Sequence, residues 1–92
     1  MNYLHKGDLP NDIEVPTVVA VDTETMGLNF SRDKLCLVQI SFGDKNAHLV
    51  QVGGDFGYSA NNLKKILKNN NIIKIFHYAR FDVAMLKKYL GV

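Results

Sequence analysis

The sequence predicts an α/β fold with a mixed sheet, its elements in the order β-β-β-α-β-α. Three observations carry that reading. Three apolar runs rich in β-branched residues follow one another with only short polar breaks. The hydrophobic period then changes from strand-like to helical near Leu63. A further short apolar run (IIKIF, residues 72–76) stands between two helical segments.

The lead segment, residues 1–16, is polar and reads as a loop. Residues 17–21 (TVVAV) are continuously apolar, as a strand buried on both faces would be. Residues 34–42 (KLCLVQISF) form a second strand, interrupted only by Gln39 and Ser41. Gly43-Asp44-Lys45-Asn46 is turn material, and residues 47–52 return as a third strand. Short connections make these three an antiparallel meander. Gly53-Gly54 and Gly57 then break the sheet, and Ser59 is placed to cap a helix reaching about Asn70, with Leu63, Ile66 and Leu67 on one face. After the fourth strand a second helix covers residues 79–90, with Tyr78, Phe81, Met85 and Tyr89 spaced for one side. A helix between strands three and four makes the fourth a parallel neighbour of an earlier strand.

The chain has 92 residues, enough for one domain, and a formal net charge of +2, too mild to argue for a nucleic-acid partner by itself. The single cysteine, Cys36, rules out an internal disulfide and reads as a reduced core residue. The first ten residues lack the apolar segment of a secretory leader, and no run approaches the roughly 20 apolar residues of a membrane span. A cytoplasmic protein is expected.

Chemistry concentrates in three carboxylates. Asp22 and Glu24 follow the TVVAV strand at i and i+2, so both point to one face. Two carboxylates there repel each other, and a divalent cation with a taste for hard oxygen, magnesium or manganese, relieves that cost. The same residues could also simply open the turn before Gly27. Asp82 lies in an apolar helical stripe, so it must be paired, metal-bound or at the stripe's edge. A helix returning after strand four can set Asp82 beside the end of strand one. Three carboxylates converging there would make the centre of a two-metal phosphodiester hydrolase.

At these residues the sequence resembles a known family. VVAVDTETMGL resembles the first exonuclease motif of the DEDD 3′–5′ exonucleases, LCLVQIS the second-strand segment of ribonuclease D relatives, and HYARFD their second exonuclease motif. HKGDLP near the start resembles the lead-in of small bacterial ribonuclease D-like proteins. The resemblance implies a ribonuclease H-like fold and a partial exonuclease domain over residues 1–92, with 17–92 its core. It implies two divalent ions, Mg2+ or Mn2+, and water attacking the 3′-terminal phosphodiester to release nucleoside monophosphates. Asp22 would bridge both ions, Glu24 would help hold the site of the attacking water, and Asp82 would hold the second ion directly or through water. Met26, Gly27 and Leu28 would lie against the terminal nucleotide, with Phe81 beside the third carboxylate and His77 opening the second motif. The substrate implied is a nucleic-acid 3′ end, with single-stranded RNA the better fit.

One departure is large. The family's third motif, a tyrosine or histidine followed by the last aspartate, has no counterpart before Val92. The fold is therefore expected to be truncated before its next strand, and activity to need a second chain supplying the missing half. The competing reading is a non-catalytic remnant with a weak metal or nucleic-acid site. His5 and His48 read as surface or strand-edge residues. Lys64, Lys65 and Lys68 mark a polar helix face, either simply solvated or tracking phosphates. No phosphate-loop or dinucleotide fingerprint occurs.

Overall fold

The computed structural model describes residues 2–25, 34–77 and 79–92. Along the chain run β1 (Asn2–Lys6), β2 (Val18–Thr25), β3 (Leu35–Ser41), β4 (Ala47–Gln51), α1 (Asn61–Lys68), β5 (Ile73–Phe76) and α2 (Ala79–Leu90). The strands lie in the order β1-β4-β3-β2-β5. β2, β3 and β4 form the expected antiparallel meander, and β5 pairs parallel with β2. The α/β class and the mixed sheet are therefore as read.

The lead segment is not all loop. Asn2–Lys6 pairs parallel with β4, Tyr3 opposite His48 and His5 opposite Val50. This strand lacks the apolar alternation that marks a half-buried strand because it sits at the sheet's edge and buries little. Its backbone ladder and its rings hold it instead: Tyr3 stacks on His48 with centroids 5.2 Å apart.

β2 is buried on one face, not two. Val19 and Val21 are in the core while Val18 and Ala20 are exposed. α1 carries the chain from β4 past β3 and β2 to β5, and Leu63, Ile66 and Leu67 of α1 join Met85, Leu86 and Leu90 of α2 in one cluster with Val19, Val21, Val38, Ile40 and Val50. Both helices thus cover the same side of the sheet. The other side, carrying Val18, Ala20, Ile73 and Ile75, is open among the described residues.

Ser59 does not cap α1. The capping position is Ala60, in left-handed backbone with φ 32°, and its side chain makes no capping bond. Asp8 does the work from the lead segment: its Oδ2 accepts the Asn62 N–H at 2.9 Å and its Oδ1 the Leu63 N–H at 2.9 Å. These are amides that a helix leaves without internal partners. The stripe that α2 buries is also rotated from the expected one. It comprises Asp82, Met85, Leu86 and Leu90, with Phe81 and Tyr89 only half-buried at its flank.

Gly53 is needed where it stands. Its φ is +84°, and a Cβ there would meet the Tyr58 hydroxyl at 2.7 Å. That hydroxyl is committed, donating to the Leu35 carbonyl at 2.8 Å and tying the turn after β4 to β3.

Candidate active site

The strand period decides where the carboxylates of β2 go. Thr23 is buried with Val19 and Val21, so Asp22 and Glu24 on either side of it project from the open face, and both are exposed. Neighbouring strands add to that face. Gln39 and Leu37 of β3 lie opposite Asp22 and Glu24, and Ser41 lies opposite Ala20. β5 runs parallel with Phe76 beside Val21, which brings His77 alongside Asp22 at the same end of the sheet. Between them is a recess of about 260 Å³ whose lining includes Ala20, Asp22, Gln39, Ser41, Ile75 and His77.

Asp82 reaches the same end of β2 from the helix-covered side. It is 1% exposed, and the Thr23 hydroxyl donates to its Oδ1 at 2.5 Å. Thr23 and Asp82 are the buried polar or charged residues among those described, and each answers the other. Asp22 and Glu24 thus flank Thr23 on the open face, while Asp82 lies behind it on the helix-covered face, so the three carboxylates do not share one face. Among the described residues, no three or more histidine, cysteine or acidic side chains are grouped to hold a metal ion.

Glu24 has a further neighbour in Cys36, whose Sγ lies 3.4 Å from the Glu24 carbonyl oxygen. Burial, and then the negative charge of Glu24, push the Cys36 thiol above its ordinary pKa, which keeps it protonated and unreactive at neutral pH. His77 is exposed and Phe81 is half-buried against the core. Met26, Gly27 and Leu28 lie outside the described residues.

Thr23, Gln39 and Ser41 are not among the site residues that the sequence leads one to expect. The signal was present for all three. Thr23 sits between two same-face carboxylates and so had to face the helices. Gln39 and Ser41 are polar at i and i+2 in an otherwise apolar strand, which marks a wet face beside the acidic pair.

Two exposed carboxylates on one strand face are a chemically specific arrangement. Each adds to the other's negative potential, both side chains are exposed, and the oxygens are hard donors. A divalent cation fits that pair. Comparison with known proteins points the same way. Residues 7–92 match the family described as 3′-5′ exonuclease. The chain belongs to that 3′–5′ exonuclease family, and its sheet and helices are the ribonuclease H-like arrangement expected of it.

Among solved structures, NrnC of Brucella melitensis is similar at 46% identity and a TM-score of 0.88, over 99% of this chain and 45% of NrnC. Structures of the same protein bound to pGG and with bound Mg2+ match equally well. A nuclease in its apo form matches at 39% identity and a TM-score of 0.91, over 99% of this chain and 44% of that one. The chain therefore spans less than half the length of these relatives. No curated protein matches.

Proposed function

We propose that this chain provides the acidic site of a divalent-metal-dependent 3′–5′ exonuclease that releases nucleoside monophosphates from the 3′ end of RNA. The observation that carries the reading is the Asp22–Glu24 pair, exposed on the open sheet face beside a recess. Membership of the exonuclease family supports it, as do the relatives holding Mg2+ and pGG.

Asp22 and Glu24 would hold the metal, two ions of Mg2+ or Mn2+ in the full site, with Asp82 contributing through water from behind Thr23. Such ions neutralise phosphate charge and lower the pKa of water. The remaining work falls to the chain itself. The open face leaves the recess accessible to a terminal nucleotide, and Gln39 and Ser41 offer hydrogen bonds along it. His77 and Phe81 flank the end of β5 and the start of α2, where the nucleotide's ring or sugar would rest. Met26, Gly27 and Leu28 would complete that contact. The group that orients the attacking water, and the fourth carboxylate, would come from residues beyond these 92, in this polypeptide or a second chain. A lone free cysteine fits a cytoplasmic setting for this chain.

A specific observation favours a second reading, a metal- or nucleic-acid-binding unit without catalysis of its own. Asp82 is committed to Thr23 on the far side of the strand, so the exposed site has two carboxylates rather than three.

The test is release of mononucleotides from a 3′-labelled single-stranded RNA with Mn2+, by the chain alone and then mixed with a polypeptide supplying the missing half. The chain alone should show little activity and the mixture an activity that Asp22→Ala abolishes. Mn2+ titration of the chain should give weak binding that Asp22→Ala removes. Equal Mn2+ binding by both chains would show that the acidic pair is not the site. A DNA strand cleaved faster than its RNA counterpart would overturn the substrate assignment.

A further inference from the structure

On the opposite face of the sheet from the acidic pair, two histidines meet head to head. His5 of β1 and His48 of β4 sit diagonally across a parallel ladder, with Tyr3 opposite His48 and His5 opposite Val50. Their rings are nearly parallel, 15° apart with centroids separated by 5.2 Å, and His5 Nε2 lies 3.0 Å from His48 Nδ1. Phe42 and Tyr3 pack on the His48 ring, with centroids 4.8 Å and 5.2 Å away, and hold it in place.

We propose that His5 and His48 form a binding site for a borderline transition-metal ion of the zinc type, which clamps the edge strand β1 to β4.

The two nitrogens already stand close to the spacing that one ion requires. Two metal–nitrogen bonds of about 2.0–2.1 Å at a tetrahedral angle place the nitrogens roughly 3.3 Å apart. The nitrogens must part by a few tenths of an ångström, and each ring must turn by roughly 35° so that its lone pair leaves the N···N line and meets the ion. The proton now shared between the facing nitrogens moves, through solvent, to the other nitrogen of its own ring. Both facing nitrogens then offer lone pairs with no net change of charge. Imidazole nitrogens select zinc, nickel or copper over magnesium, so this site and the oxygen pair at Asp22 and Glu24 take different ions. The two remaining positions of a tetrahedral ion would hold water.

The surroundings favour a neutral His48. Burial, and then the neighbouring His5, push His48 below the ordinary histidine pKa, while Asp44 in the turn before β4 pulls the other way. Asp44 itself is engaged by the Asn46 N–H at 3.1 Å, so the pair is the donor set and Asp44 a nearby counter-charge. A metal here would act on the element least anchored by apolar burial. β1 buries no residue fully, and its hold on β4 is backbone plus these rings.

Ni2+ alone serves as the probe, with isothermal titration and the chemical-unfolding midpoint read at pH 7.5. One Ni2+ per chain should bind, raise the midpoint and be displaced by Zn2+. Either His5→Ala or His48→Ala should weaken binding by about tenfold or more, and lowering the pH to 5.5 should do the same as protons compete for the nitrogens. Asp22→Ala should leave Ni2+ binding intact while removing Mn2+ binding. This makes failure here distinct from failure of the nuclease site. Should His48→Ala fold poorly, His48→Gln keeps a hydrogen-bonding side chain and tests the same ligand. Absence of Ni2+ binding to the parent chain would overturn the proposal, as would full binding by His5→Ala or His48→Gln.

Discussion

The Thr23 hydroxyl donates to the Asp82 carboxylate at 2.5 Å, joining the residue between Asp22 and Glu24 to the first turn of α2. This bond is both structural and positional. It satisfies a carboxylate that is 1% exposed, and it fixes where α2 begins relative to the acidic end of β2. A buried charge that loses a donor bears the cost of poorer solvation.

Thr23→Val, which keeps the shape and removes the donor, should therefore destabilise the chain by about 1–3 kcal/mol in urea unfolding. Thr23→Ser, which retains the hydroxyl and loses only a methyl, should cost clearly less. Equal stabilities for the Val and Ser variants would mean that the bond contributes nothing.

Asp8 makes a second long-range tie. Its carboxylate accepts the N–H groups of Leu9, Asn62 and Leu63, so one side chain organises both the lead segment and the start of α1. Asp8→Ala should cost about 0.5–2 kcal/mol, the range for loss of a capping oxygen, whereas Ser59→Ala should be nearly neutral. The reverse ranking in thermal or urea unfolding would restore Ser59 as the cap.

Asp8 and Ser59 also illustrate what could be read from the chain beforehand. Local signals place the meander, α1 and α2, because strand and helix periods are written in consecutive residues. The pairing of Asp22 with Glu24 on one face follows from the same alternation. Cap identity was misread because the capping oxygen comes from more than fifty positions away, where no local rule looks. β1 was missed because an edge strand that buries little leaves no apolar alternation. The one-sided burial of β2 was missed because TVVAV would look the same under one layer of helices or two. Asp82 shows the limit of motif reasoning. Its place near the acidic end was legible, but its orientation toward Thr23 depends on which stripe α2 buries.

His48 gives the stability a pH dependence with a definite sign. Burial and the neighbouring His5 lower its pKa in the folded chain below the ordinary 6.5. As pH falls below 6.5 the unfolded chain takes up a proton that the folded chain resists, so stability declines across the window down to the folded pKa. The contribution is fully present above the ordinary value and lost below the folded one. Urea midpoints measured from pH 7.5 to pH 5 without metal should fall, and His48→Gln should flatten that slope. A slope unchanged in the variant would assign it to other groups.

The open sheet face makes the strongest claim about behaviour in solution. Ile73 and Ile75 of β5 are 61% and 56% exposed and lie beside Val18 and Ala20, so apolar surface continues from one strand to the next. β5 is also the last strand of the sheet among the described residues. The Ile73 N–H bonds the Thr17 carbonyl at 2.7 Å, so the alternation of a parallel ladder turns the Lys74 N–H away from β2. An apolar face and an available strand edge are two distinct routes to association with another chain. Light scattering on the purified chain should show self-association that grows with concentration. Ile75→Lys places a charge on the face without touching the ladder and should reduce association through the face. Lys74→Pro removes the outward N–H and should reduce association through the edge, since proline is tolerated where no ladder bond is lost. If the face dominates, Ile75→Lys alone should restore a monomer, and if the edge dominates, Lys74→Pro should do so. A parent chain that stays monomeric at high micromolar concentration would show that neither surface drives association.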